Sequence, residues 1–194
     1  VYCLDKKIGK EIWEYETEGI IFSSVAISGG YLYLGSWDKK VYCLNKNTGN
    51  KAWEYKASCN IYPSPVISGQ YLYIGSTDGN IHCLSKFTGE KVWGYKTEGR
   101  IESSVSISED YLYLGSWDHK VYCLNKLTGE KVWDYRTEDR LSSSPSIADD
   151  YLYIGSWNGK IYSLNRIKGS KVWEYVTGGF ISSSPAISGD YLYI

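Results

Sequence analysis

With 194 residues, 43% of them hydrophobic and 22% charged, the chain is long enough for one or two domains and lies outside the composition of disordered proteins. Twenty-one basic against twenty-two acidic residues leave a formal net charge of −1, so no long-range field favours nucleic acid or an anionic membrane. The apolar runs are a few residues long, too short for a membrane-spanning helix. Twenty tyrosines, eight tryptophans and twenty glycines, with no methionine, favour strands and tight turns. A start without methionine is expected of a fragment of a longer chain or a processed form.

The first element, Val1 to Leu4, reads VYCL and returns at Val41, Ile81, Val121 and Ile161, a period of forty residues without insertions. Trp13, Trp53, Trp93, Trp133 and Trp173 keep the same period, as does Tyr-Leu-Tyr from Tyr31, Tyr71, Tyr111, Tyr151 and Tyr191. No helical stripe runs through it, which predicts four short strands per unit, the size of one propeller blade. In residues 21–56 the strands are IFSSVAIS, YLYLGS, KVYCLN and KAWEYK, here A to D from the centre outward. Gly29-Gly30, Trp37-Asp38-Lys39 and Asn47-Thr48-Gly49 separate them, and later units carry Asp78-Gly79 and Asn158-Gly159 at the B–C turn. Both faces of YLYLGS are apolar, so each sheet must be covered on both sides by neighbours, as blades in a ring are.

The chain opens with strands C and D, runs through four whole units and finishes with A and B. The expected fold is therefore an all-β, five-bladed β-propeller, one domain over residues 1–194, closed by the last A and B strands pairing with the first C and D strands. The competing expectation is a piece of a larger propeller that closes only by association with another copy.

The string LxxxTGxxxW at Leu44 to Trp53, repeated at Leu84 to Trp93 and Leu124 to Trp133, resembles the tryptophan-docking repeat of the quinoprotein-type (PQQ-like) β-propeller family. Ile8-Gly9 and Lys168-Gly169 replace Thr-Gly in the outer copies, and the resemblance spans the whole chain. Glycine permits a tight outer hairpin, across which the tryptophan of a neighbouring blade can lie. The resemblance implies, for enzymes of the family, about eight blades, a calcium-bound quinone, an aspartate base and a vicinal cysteine pair. No adjacent cysteines occur, and Asp149-Asp150 falls in an A–B turn. The cofactor-free relatives implied are binding scaffolds, among them a subunit of the outer-membrane barrel assembly machine and extracellular sensor domains, so a non-enzymatic member without cofactor or metal is expected. Such propellers are commonly exported, which suggests an extracytoplasmic or cell-surface location.

Cys3, Cys43, Cys83 and Cys123 share one place on strand C and are kept apart by the repeat, which predicts buried thiols rather than disulfides or a metal site. Cys59 lies in a D–A loop. Five free thiols argue weakly against an oxidising compartment, in conflict with the resemblance. His82 stands where other copies carry tyrosine and His119 in a B–C turn, neither with a nucleophile or ligand set at a recognisable spacing. Nucleotide, zinc-protease, EF-hand and hydrolase motifs are absent. The serines of strand A, at Ser23-Ser24, Ser64, Ser103-Ser104, Ser143-Ser144 and Ser183-Ser184, are read as small side chains for a crowded inner edge.

Packing repeats while a single ligand site need not, so function is expected where the copies diverge. The D–A loops vary most, and in propellers they share a rim with the B–C turns. The candidate partner-binding residues are Trp37, Trp117, Trp157, Arg100, Arg140, Phe22, Tyr62 and Glu102. The expected partner over this rim is a protein or peptide. A carbohydrate stacked on the tryptophans is the alternative, and a degenerate quinoprotein dehydrogenase is the remote one.

Overall fold

The structure, a computed structural model, describes residues 1–194 and consists of strands and turns without a helix. β1 (Tyr2–Leu4) and β2 (Glu11–Glu14) form a two-stranded sheet. β3 (Ala26–Ser28), β4 (Tyr31–Gly35), β5 (Lys40–Asn45) and β6 (Lys51–Lys56) form the first complete antiparallel sheet. The second holds β7 (Val66–Ser68), β8 (Tyr71–Gly75), β9 (Asn80–Ser85) and β10 (Lys91–Lys96). The third holds β11 (Ser106–Ser108), β12 (Tyr111–Gly115), β13 (Lys120–Asn125) and β14 (Lys131–Arg136). The fourth holds β15 (Ser146–Ala148), β16 (Tyr151–Gly155), β17 (Lys160–Asn165) and β18 (Lys171–Val176). β19 (Ala186–Ser188) and β20 (Tyr191–Tyr193) end the chain as another pair. The expected all-β propeller of forty-residue, four-stranded antiparallel blades is present, with five blade positions filled by four whole blades and two half blades.

The expected pairing of the two half blades into one sheet is corrected by the structure: β1–β2 and β19–β20 remain separate two-stranded sheets. Each half is held instead by its own neighbour. Trp13 docks on the first whole blade, with Nε1 donating to the Lys46 carbonyl at 3.1 Å, while Ser144 N–H of the fourth donates to Ser184 Oγ at 3.0 Å. These contacts seat each half blade on its neighbour, and no ladder joins the two ends. Tyr2 and Tyr193 are therefore 67% and 56% exposed, although Tyr33 and Tyr42 at the matching repeat positions are buried.

Alternation along each B strand sends side chains to two interfaces. Tyr33, Val41 and Cys43 of the first blade pack against Ile61, Leu72, Ile74 and Leu84 of the second, and equivalent layers join the second to the third and the third to the fourth. The core is thus a series of interlayers between blades. Cys43, Cys83 and Cys123 are free and buried inside it, as the repeat predicted. At the outer hairpin of each whole blade a glycine in the left-handed region meets the preceding blade's indole: at Gly89, φ is +74° and a Cβ would lie 2.6 Å from Trp53. Trp53 Nε1 and Tyr33 Oη both donate to the Lys86 carbonyl on the same hairpin, each at 3.1 Å.

Strand A is shorter than IFSSVAIS suggested, because the polar groups before Ala26 are used outside the ladder. Ser103 Oγ donates to the Gly115 carbonyl at 2.8 Å and accepts from Gly115 N–H at 3.0 Å. Ser24, Ser64, Ser104 and Ser144 donate through their backbone N–H to Ser64, Ser104, Ser144 and Ser184 Oγ, at 2.9 to 3.0 Å. The inner serines are therefore a hydrogen-bonded clamp from blade to blade as well as small side chains. Ser103→Ala would leave both Gly115 backbone groups buried without that partner and should cost about 2 kcal/mol in urea unfolding followed by tryptophan fluorescence. A loss under about 0.5 kcal/mol would show that Ser103 is there for size alone.

Candidate functional site

The rim is built by the D–A loops and B–C turns, which are tied together through the backbone. Trp37, Thr77, Trp117 and Trp157 N–H donate to the carbonyls of Ile20, Asn60, Arg100 and Arg140 at 2.9 to 3.1 Å. The turn aspartates are structural partners. Asp38 Oδ1 accepts from Lys40 N–H at 2.9 Å, and Asp38 Oδ2 accepts from Tyr42 Oη at 2.7 Å. Asp118 and Tyr122 repeat the second bond at 2.7 Å. These bonds hold each turn tryptophan beside the loop residue three positions before the first serine of strand A.

Seven of the eight candidates meet rings or guanidinium groups directly, in two clusters. In the first, Phe22 lies 4.9 Å from Trp37 and is stacked on Tyr62 at 5.2 Å, centroid to centroid. In the second, the Arg140 guanidinium lies 3.7 Å from the Trp157 ring centre and 4.6 Å from that of Trp117. Arg100 approaches the same Trp117 ring at 5.4 Å. Trp117 and Trp157 are themselves 6.0 Å apart, so Arg140 bridges the third and fourth blades. Each such cation–ring contact contributes on the order of 1 kcal/mol and holds the guanidinium in one plane.

Glu102 joins the second cluster. Burial pushes its carboxyl above the usual range, opposed by Arg100, the Trp117 indole and Arg140. It occupies the repeat position of Ser142, whose Oγ accepts from Trp157 Nε1 at 2.7 Å. Trp117 Nε1 is buried and lacks hydrogen-bonding geometry to any partner, although the indole stands close enough to Glu102 to affect its ionisation. Of the four arginines, Arg166 is the one in an ion pair, with Glu109 at 3.2 Å. Arg140 donates only through its backbone N–H, to Asp139 Oδ1 at 2.7 Å. Thr77, the small residue at the tryptophan position of the second blade, divides the two clusters.

Phe180, which the sequence reading did not include among the candidates, is 81% exposed and lies 5.7 Å from Trp157. Its signal was its place forty residues after Arg140. The largest cleft, about 790 Å³, lies elsewhere and is lined by Ile161, Trp173, Tyr175, Leu192 and Ile194. It is the apolar face of the last complete blade and β20, which in the inner blades is covered by a neighbour, so its size reflects blade packing.

His82 is buried, with Nδ1 3.2 Å from Tyr55 Oη and Nε2 3.1 Å from Ser76 Oγ. Ser76 Oγ donates to Asp78 Oδ1. With the serine proton committed to the carboxylate, Nε2–H donates to Ser76 and Tyr55 Oη donates to Nδ1. The group spans the gap left where histidine, too short to reach the turn aspartate, replaces tyrosine; it has the composition of a nucleophile triad with the serine facing the wrong partner.

Comparison with known proteins places this geometry. The family described as outer membrane protein assembly factor BamB matches residues 1–61 and 60–194. BamB from Moraxella catarrhalis is 23% identical and superposes with a TM-score of 0.83, over 95% of this chain and 58% of its own. The computationally designed Ika8 protein, 12% identical, gives 0.84 over the same shares. Quinohemoprotein alcohol dehydrogenase from Comamonas testosteroni, 18% identical, gives 0.79 over 90% of this chain and 40% of its own. The chain thus spans well under two thirds of these relatives. No curated protein sequence matches it. The matches over both segments, together with the docked tryptophans and forty-residue blades, show that the chain belongs to the PQQ-like β-propeller repeat family described by outer membrane protein assembly factor BamB.

Proposed function

We propose that the chain is a non-enzymatic scaffold or sensor propeller that binds a protein or peptide over the rim of D–A loops and B–C turns. The observation that carries this reading is the Trp117–Arg140–Trp157 stack, flanked by Arg100, which spends aromatic and cationic side chains on the surface where the repeats diverge. Aromatics and arginines are the side chains enriched at the energetic centres of protein interfaces. The family match supports a protein partner and an extracytoplasmic setting, since the family's description is that of an outer-membrane assembly factor. The dehydrogenase neighbour shares the blade fold at 18% identity, which carries fold and not chemistry. For carbohydrate, several equivalent open platforms would be wanted; here Thr77 interrupts the series and Arg140 covers two of the three turn indoles.

A photo-crosslinking amino acid at Tyr62 or Phe180, set against one at Asn47 or Leu127 on the outer hairpins, tests the reading in cells of the source. Adducts to one protein from the rim positions and none from the hairpins are expected. Equal labelling from both sets, or none from either, would remove the rim as the docking face.

A further inference from the structure

We propose that the Arg100–Trp117–Arg140 cluster is a receptor for a single carboxylate on an acidic peptide segment of the partner, with the adjoining partner side chain resting on the Trp157 and Phe180 rings. The inference rests on the rim reading above and gives it a ligand chemistry. Stacking on indole uses the faces of a guanidinium and leaves its edge N–H donors free. Neither Arg100 nor Arg140 meets a protein carboxylate in an ion pair, whereas Arg166 does. Two planar forks beside one indole, 5.4 and 4.6 Å from its ring centre, therefore present unspent donors to an acceptor arriving at the rim. Carboxylate oxygens match that fork geometry bidentately.

The surrounding charge selects among anions. Two arginines against Glu102 leave one positive charge, suited to one carboxylate and not to a phosphate dianion. Glu98, Asp118 and Asp139 belong to the same loops and turns and repel a polyanion such as nucleic acid or an anionic membrane, while Glu138 is paired with Lys160. Glu102 also marks the spot: an acid has been drawn into a half-buried place beside both arginines, as an internal competitor for the incoming group. The apolar wall is adjacent, since Trp157 and the exposed Phe180 lie 5.7 Å apart.

The probe is a hexapeptide, acetylated and amidated at its ends, reading Gly-Ser-Asp-Tyr-Ser-Gly, with twins carrying asparagine or phosphoserine for aspartate. Titration into the 194-residue chain is followed by NMR at the Trp117 and Trp157 indole N–H signals. The aspartate peptide should bind at least about tenfold more tightly than its asparagine twin and more tightly than the phosphoserine twin. Glu102→Gln should tighten it about threefold or more by removing the competitor. Arg140→Lys and Arg100→Lys, which keep the charge and lose the planar fork, should each weaken it about fivefold or more. An unchanged far-ultraviolet spectrum and unchanged signals of Trp53 and Trp93 check that each variant keeps its blades. Equal affinity for aspartate and asparagine peptides, lysine variants that bind like the parent, or preference for phosphoserine would each overturn the proposal. If rim crosslinks form while the aspartate preference is absent, the carboxylate inference falls and the rim reading stands.

Discussion

Replacing Gly129 by alanine should lower the stability of the chain by about 4 kcal/mol, although it adds a single methyl group. Gly129 has φ +74°, and holding alanine there costs roughly 1–2 kcal/mol. Its Cβ would stand 2.5 Å from the Trp93 ring, closer than any carbon pair tolerates, so the indole must leave its seat. Trp93 Nε1 then loses the Lys126 carbonyl at 3.1 Å, an acceptor it shares with Tyr73 Oη at 3.0 Å. Displacing a partly buried tryptophan should cost about 2–3 kcal/mol, below the range for removing a fully buried one. Gly9 is the internal control: it has φ +68° at the same hairpin position with no atom within 4 Å of a Cβ. Gly9→Ala should therefore show the backbone strain alone, about 1–2 kcal/mol. Thermal melts should place the Gly129 variant on the order of 10 °C below the parent. Equal losses at the two glycines would mean that indole docking adds nothing to the blade interface.

Acidification from pH 6.5 to 4 should remove about 3 kcal/mol of stability through His82 alone. Burial, assisted by the Lys91 charge and opposed by Asp78, lowers its pKa from 6.5 to about 4. The folded chain therefore holds His82 neutral in a range where the unfolded chain binds a proton. The contribution is intact above pH 6.5, falls as pH drops through that value, and levels off below 4. Asp78 stays charged meanwhile: burial alone would raise its pKa, but hydrogen bonds from Ser76 and Asn80 outweigh that and hold it low. His82→Tyr replaces the titrating ring with the residue that Tyr42 and Tyr122 represent in other blades, where the hydroxyl bonds the turn aspartate directly at 2.7 Å. The variant should match the parent within about 1 kcal/mol at pH 7 and exceed it by about 3 kcal/mol at pH 4, in urea titrations at each pH. Parallel pH profiles for the two proteins would locate the acid sensitivity elsewhere.

The candidate site was partly legible in advance. Loop residues that depart from the repeat, such as Arg100, Glu102 and Arg140, stand out against forty-residue copies because packing has no reason to vary there. Their partners could not be read the same way. Arg140 lies between Trp117 of the preceding blade and Trp157 of its own, and that neighbour is set by the rotation between blades. Ser23 and Ser103 looked like small residues at a crowded edge, because a serine's role as a backbone clamp depends on an acceptor twelve residues away.

Strand order, blade length and the docking of tryptophan on glycine follow from short-range pattern: alternation, turn residues and large side chains at a fixed period act within one unit and its neighbour. The way the two half blades lie was decided only in three dimensions. Whether β1–β2 and β19–β20 meet depends on the rotation accumulated across four whole blades, a sum of many small packing angles that no local motif encodes. The same long-range geometry decided which cations stack on which rings, and hence where unspent donors face outward.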